Sequence, residues 1–236
     1  MKVVILTTNT LHHTYYIKQL LLQLEIVGCI VEKNSVQPKF DTYHPYVQKR
    51  DEFEKEHFFG GKNYRISDLC SVTEVSNIND SMALKKINEW SPDVTFSFGV
   101  SRLNHNTINL FSGSLLNLHG GDPQKYRGLD SHLWTVYHND FKSLNTSLHF
   151  LTPRLDTGDI VQTATIPLHQ NMTLHELRYA NTKVCVEISM NAIIALNRGN
   201  DLTRTAQKKL GRYYSHMPAV LIDSVIENFE RHTRKL

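Results

Sequence analysis

Cysteine is scarce in this sequence, and what there is suggests no framework. Cys29, Cys70 and Cys185 are odd in number and widely spaced, which indicates neither a disulfide scaffold nor a zinc site. No apolar run approaches the ~20 residues that a membrane-spanning helix needs. The run Val3–Leu6 is also too short for the core of a signal peptide, and only Lys2 stands between it and Met1. Glycine is missing where a dinucleotide site would want it: Thr7-Thr8-Asn9-Thr10 follows the first apolar run instead. Neither a GxxxxGK[ST] phosphate loop nor a GxSxG nucleophile elbow occurs. An excess of one charge is lacking too, since 26 Lys and Arg face 23 Asp and Glu for a formal net charge of +3. Polyanion binders show a concentrated basic stripe. Here the C-terminal set Lys208, Lys209, Arg212, Arg231, Arg234 and Lys235 is interrupted by acids and reads as a solvated face. These absences predict a reduced cytoplasmic protein with no nucleic acid, membrane or metal among its partners.

What is present is enough apolar sequence for a real core. With 236 residues, 40% hydrophobic and 21% charged, the chain is expected to form one or two domains. Strand and helix patterns alternate along it. Val3–Leu6, Ile26–Val31 and Val94–Phe98 are short apolar or β-branched runs, as strands buried on both faces would be. Thr10 is placed to cap a helix over Leu11–Leu24, and Asp80 one that ends near Trp90, where Pro92 breaks the pattern. Phe40–Phe59 is aromatic and charged with partial helical periodicity. Ser114–Leu118 is a further strand, then a Gly/Pro loop and a helix over Leu129–His138. Thr146–Leu151 and Ile160–Ile166 flank the loop Thr152–Asp159. A long helix follows Thr173 with Leu177, Ala180, Val184 and Ile188 on one stripe, and Gly199 ends it. This alternation predicts an α/β, Rossmann-like sheet, parallel at least in its first half and flanked by helices. Residues 1–200 are expected to form the main domain. Residues 201–236 then read as a short appendage, with a hairpin around Tyr213-Tyr214 and a closing helix, and as a possible dimer contact.

Ligands of open α/β sheets sit beyond the carboxyl ends of the strands. That rule draws attention to Thr8–His13, Phe98–Leu103, Asn117–Gly128 and the Thr152–Asp159 turn. His12 and His13 are adjacent, so on a helix they are expected to point in different directions, a poor arrangement for a metal. Asn117 and His119 lie two apart on a strand and so share a side. That spacing alone carries no weight, because chance supplies such a pair in a chain with 13 histidines. Context supplies it: an apolar strand precedes the pair, and Gly120-Gly121-Asp122-Pro123-Gln124-Lys125-Tyr126-Arg127-Gly128 follows. Read locally, this segment is equally a turn in which Asn117 satisfies backbone groups. Leu155-Asp156-Thr157-Gly158-Asp159 is likewise ordinary turn chemistry when read alone.

Together the two elements resemble the formyltransferase family that uses 10-formyltetrahydrofolate. Its signature is an Asn-x-His at a strand end, a Pro/Tyr-Arg-Gly loop, and a Leu-Asp-x-Gly turn further on. Asn117, His119, Tyr126-Arg127-Gly128 and Leu155-Asp156-Thr157-Gly158 stand here in that order. The commoner family loop reads His-Pro-Ser-Leu-Leu-Pro; here it is His119-Gly120-Gly121-Asp122-Pro123, with the proline one place early. Gly120–Pro123 and Gly128–Trp134 look most like the branch that formylates amino groups on nucleotide-linked deoxysugars. The resemblance covers Pro92 to Ile194 well and the first strand–helix unit loosely.

The resemblance implies a catalytic set of Asn117, His119 and Asp156. An amine must attack a formyl carbon held on a folate nitrogen, so an oxygen gains negative charge and a nitrogen must leave. Asn117 offers a neutral N–H to that oxygen, a role worth ~3 kcal/mol elsewhere. His119 suits proton transfer near neutral pH, and Asp156 would orient it and favour the imidazolium. The folate is implied to lie against Phe98, Gly99, Val100 and Leu103 on one side and Leu155, Asp156, Thr157, Gly158 and Asp159 on the other. Phe98 and Leu103 read equally as core. Tyr126 and Arg127 are candidates to meet the acceptor's phosphate or sugar, although Arg127 could equally brace the loop. His12, His13, Tyr46 and Arg50 are candidates for its sugar or base pocket.

Relatives that act on initiator methionyl-tRNA usually carry a further C-terminal domain, and a tRNA needs extensive charge neutralisation. Those acting on glycinamide ribonucleotide hold its phosphate in a glycine-rich first loop, which is lacking here. The expected function is therefore formyl transfer from 10-formyltetrahydrofolate to a dTDP- or GDP-linked amino-dideoxyhexose. In the family such sugars serve lipopolysaccharide and O-antigen synthesis, and a homodimer is usual. A noncatalytic nucleotide-sugar or folate-binding module on the same scaffold is the alternative, since fold does not fix function.

Overall fold

The computed structural model describes residues 1–33 and 37–236. Its centre is a seven-stranded sheet built from β1 (Val3–Thr8), β2 (Ile26–Glu32), β3 (Val72–Val75), β4 (Val94–Phe98), β5 (Ser114–His119), β7 (Asn145–Phe150) and β8 (Ile160–Thr165). The order across it is β3-β2-β1-β4-β5-β7-β8. The first five strands run parallel, and β7 and β8 are antiparallel additions. This is the α/β sheet that the alternation predicts.

The apolar runs are continuous because both faces of the sheet are covered. Strand side chains alternate, so Val3 and Ile5 enter one core and Val4 and Leu6 the other. On the first face lie α1 (Leu11–Leu20) and α6 (Leu177–Asn197), contributing Tyr16, Leu20, Val184 and Ile188. On the second face α3 (Ser81–Trp90) contributes Ala83 and Ile87, and the short α4 (His105–Ile108) adds Ile108. The aromatic stretch becomes α2 (Pro45–Phe59), where Pro45 stands in the first turn. His44 accepts the Tyr46 N–H at 3.1 Å there, and Gly60 closes the other end at φ 57°. Thr173 and Glu176 form a reciprocal capping box one turn before α6.

Three expectations change. The first helix stops at Leu20, and a turn carries the chain to β2. Two short strands escape the sequence pattern, β3 and β6 (Tyr126–Gly128). No hairpin forms around Tyr213-Tyr214: β9 (Arg212–Tyr214) pairs in parallel with β6, through backbone bonds such as Leu129 N–H to the Tyr214 carbonyl at 2.9 Å. The Gly/Pro loop, rather than a partner inside 201–236, supplies the backbone hydrogen bonds of this segment, with the Gly211 and Arg212 N–H groups donating to the Pro123 and Lys125 carbonyls. Beyond it α7 (Ile222–Thr233) buries Val225 and Phe229 against α5 (Ser131–Tyr137) and the start of α6, making a third apolar cluster.

Candidate active site

The site forms where the parallel sheet ends. β5 delivers Asn117 and His119, and antiparallel pairing sets Asn117 opposite His149 and His119 opposite Ser147 on β7. The turn between β7 and β8 then brings Asp156 back over the strand ends. Asp156 holds a left-handed conformation, φ 53°, which Asp tolerates better than most residues. Its Oδ2 accepts the Gly128 N–H at 2.8 Å. Its Oδ1 lies 3.6 Å from His119 Nδ1 and 3.5 Å from His149 Nε2. All three side chains are buried, with 5%, 2% and 8% exposure for His119, His149 and Asp156.

Hydrogen bonds fix the roles of the ring nitrogens. His119 Nε2 is 2.7 Å from the Tyr126 carbonyl, so it donates there and leaves Nδ1 facing Asp156. His149 Nδ1 donates to the Phe150 carbonyl at 2.8 Å. Its Nε2 can therefore accept an Asn117 Nδ2 N–H at 3.2 Å, which orients that amide and leaves its second N–H without a partner among the described residues. Burial raises the Asp156 pKa, but the charge of His119 when protonated, the hydrogen bond and charge that His149 offers through Nε2 in its protonated form, and the Gly128 N–H together hold it well below the carboxylate range. Asp156 is thus a fixed negative charge beneath two imidazoles.

The expected residues divide over three cavities. A cavity of about 370 Å³ is lined by His119 together with Phe98, Gly99, His12, His13, Tyr46 and Arg50. A narrow slot of about 40 Å³ takes Asn117, His149 and Asp156 as its polar end and Val100, Leu103 and Leu155 among its walls. Thr157, Gly158 and Asp159 face a different cavity, of about 590 Å³, together with Arg204. Contrary to expectation, His12 and His13 converge: their rings are 4.0 Å apart and both pack on Phe98, because the first turn of α1 lies directly over the end of β4. Tyr126 and Arg127, candidates for the acceptor, line none of these three cavities, and the bonds of Arg127 fit its alternative reading as a brace of the loop. Tyr126 is buried and stacks on Tyr214, while Arg127 donates to the carbonyls of Gly211 at 2.7 Å and Leu155 at 3.1 Å.

Three participants escaped the sequence reading. His149 sits in an expected strand, but only the antiparallel register points it at Asn117. His132 lines the large cavity, and its Nε2 carries the proton, which it donates to the Asn145 carbonyl at 2.9 Å. Arg178, on α6, reaches the same cavity and is held by Glu54 at 2.6 Å through both carboxylate oxygens and by Asp51 at 2.8 Å.

Burial lowers the His132 pKa to about 4 and the His13 pKa to about 3, outweighing the carbonyl hydrogen bond that each ring makes. Both rings are neutral in the folded chain, whereas the unfolded chain protonates them below their ordinary 6.5. Protons therefore bind the unfolded state in preference as the pH falls from about 6.5 towards 4, and each ring removes up to ~1.4 kcal/mol of stability per pH unit. Urea midpoints measured across that window should drop steeply. In His132→Gln the drop should be shallower by one ring's contribution; an unchanged slope would show that this ring is not buried neutral.

Residues 1–193 match the family model described as "Formyl transferase". The phosphoribosylglycinamide formyltransferase of Escherichia coli strain K12 is 29% identical over 117 residues, which is 47% of this chain and 55% of that protein. The aligned stretch thus spans about half the length of that curated relative. Among solved structures, the N-formyltransferase from Helicobacter canadensis in complex with folinic acid and dTDP-3-aminofucose superposes with a TM-score of 0.63 at 16% identity, covering 91% of this chain and 71% of that one. A 4-N formyltransferase from Francisella tularensis gives 0.57 at 15% identity, covering 91% and 76%. At these identities the structural likeness speaks for the fold, whereas the family model spans most of the sequence. On that match, and with Asn117, His119 and Asp156 assembled at the strand ends, this chain belongs to the formyl transferase family.

Proposed function

We propose that the protein transfers a formyl group from 10-formyltetrahydrofolate to the amine of a nucleotide-linked amino-dideoxyhexose. The observation that carries this reading is the partition of the site. Asn117 and His119 come from one strand, yet Asn117 and Asp156 line the slot while His119 lines the large cavity. A donor in the slot and an acceptor in the cavity would meet between these side chains. Apolar walls at Val100, Leu103 and Leu151 with a polar end suit the edge of a flat, hydrogen-bonding ring such as a pterin, and the walls of this slot of about 40 Å³ would have to part to admit the rest of it. Bound there, the folate supplies the formyl carbon and the nitrogen that leaves.

The second Asn117 N–H donates to the oxygen that gains charge as the acceptor nitrogen attacks. His119, with Nε2 tied to the Tyr126 carbonyl, has Nδ1 left to take the amine proton, and Asp156 stabilises the imidazolium that results. His149 acts through Asn117 and is a positioning residue. On the acceptor side Arg50 and Arg178 line the large cavity, and both also line an adjoining one of about 350 Å³ with Arg65, Tyr64 and Asp51; although Asp51 pairs with both Arg50 and Arg178, three guanidinium groups there offer donors that suit a diphosphate. The Gly120–Pro123 loop and the sugar N-formyltransferases among the structural neighbours favour an amino sugar over glycinamide ribonucleotide, despite the curated relative. Such an enzyme would work in the cytoplasm as a homodimer, residues 1–200 carrying the chemistry, and its product would serve bacterial surface polysaccharide.

The test is to incubate the chain with 10-formyltetrahydrofolate and dTDP-, GDP- or UDP-linked amino sugars, with glycinamide ribonucleotide in parallel, and to weigh the products. A net gain of CO on a sugar nucleotide is expected, and His119→Ala should lower its rate by about 10³-fold. A gain on glycinamide ribonucleotide alone would replace the acceptor assignment, and no gain on any amine would remove the enzymatic reading.

A further inference from the structure

Away from the strand ends, two of the three cysteines meet. Cys29 lies on β2 and is fully buried; Cys70 follows a 3-10 turn over Ile66–Asp68, just before β3, and is half-buried. They are 41 positions apart in sequence, and their sulfurs are 3.3 Å apart. The backbone already holds this approach, because the Cys29 N–H donates to the Ser71 carbonyl at 3.0 Å and Cys29 pairs with Val72 in the parallel register. A disulfide needs sulfurs about 2.05 Å apart and neighbouring Cα atoms. Closing the bond thus asks the two sulfurs, 3.3 Å apart, to approach by a little over ~1 Å.

We propose that Cys29 and Cys70 form a reversible disulfide under hydroperoxide, with Cys70 as the attacking thiol and Cys29 as the resolving one. The asymmetry of the pair assigns the roles: Cys70 reaches solvent and Cys29 does not. The Cys29 S–H donating to Cys70 Sγ holds the Cys70 thiol below its ordinary range, while the same contact, with burial behind it, pushes Cys29 up. The Cys70 thiolate attacks the peroxide O–O bond, forming a sulfenic acid and releasing an alcohol or water. Cys29 sulfur then attacks the Cys70 sulfur, the S–O bond breaks, and the hydroxyl leaves as water with the Cys29 proton. Two sulfurs are oxidised and one peroxide is reduced. The product ties β2 to the segment that carries Tyr64 and Arg65. Cys185, buried in α6 with its thiol pushed up by that burial, serves as an internal control.

Treatment of the full chain with hydrogen peroxide should remove the mass of two hydrogen atoms, join the Cys29 and Cys70 peptides, and reverse with dithiothreitol. In Cys29→Ser, Cys70 should instead accumulate as a dimedone-trapped sulfenic acid. In Cys70→Ser, Cys29 should stay reduced. The proposal is overturned if both thiols of the wild type survive a dose that oxidises glutathione, if the linkage maps to Cys185, or if dimedone labels Cys29 rather than Cys70. None of these outcomes depends on the acceptor or the folate, so this proposal and the formyl-transfer reading fail separately.

Discussion

Asp156→Asn lowers turnover by about 10³-fold while folate affinity holds: this is the expected result with the largest effect on activity, and it follows from charge alone. Asn fills the same space, tolerates the left-handed conformation at φ 53°, and keeps an acceptor for the Gly128 N–H. What it loses is the negative oxygen facing both His119 and His149. Without it the His119 imidazolium has no counter-charge as it forms. Single-turnover rates and folate binding, measured on the same preparation, separate this from misfolding. Turnover equal to wild type would refute the assigned role. The variant should also change the acid limb of stability. The native carboxylate contributes stability that is complete above the ordinary carboxylate range and is lost as the pH falls through its lowered folded value. The amide contributes none that titrates.

The largest effect on stability is expected at Glu54. Its side chain is fully buried and grips Arg178 through both oxygens, and Arg178 is itself only 22% exposed. Burial alone would weaken the guanidinium's charge, but the Glu54 hydrogen bonds and charge outweigh it. Glu54→Ala leaves that cation buried with only Asp51, which costs about 3–5 kcal/mol and about 10 °C in melting temperature. Glu54→Leu combined with Arg178→Met should recover most of the loss, since an uncharged pair of similar volume needs no counter-ion. It should not recover acceptor affinity if Arg178 faces a diphosphate. Removal of the exposed Glu52 should move stability by less than ~0.5 kcal/mol, and calorimetry on the three variants checks the ranking.

Much of this molecule is legible from its residues, for physical reasons that differ by element. β1, β2 and β4 are evident because burial on both faces demands unbroken apolar runs, and Phe98 and Gly99 mark where β4 stops. The Asn117–His119–Asp156 set is legible only as a combination, since each part alone reads as a turn. β3 is hidden because Val72–Val75 is an edge strand, short and half-exposed, with Glu74 inside it. His149 and Arg178 are hidden because register and helix docking, not local pattern, aim them at the site. The contacts of Tyr126 and Arg127 depend on β9, whose partner lies far away along the chain; no local signal names it.

That distant partner has a consequence for how the enzyme comes into being. The Gly128 N–H that holds Asp156 belongs to β6, and β6 is paired by residues 212–214. Gln207 also donates from its Nε2 to the Asp156 and Gly158 carbonyls, at 3.0 and 2.8 Å. A nascent chain that has cleared the ribosome only as far as α6 can close the main sheet, yet its Asp156 turn still lacks the clamp over it. Competence should therefore switch on late in synthesis, as one step, once Gln207 to Tyr214 have docked. A half-made chain would then leave one-carbon units untouched.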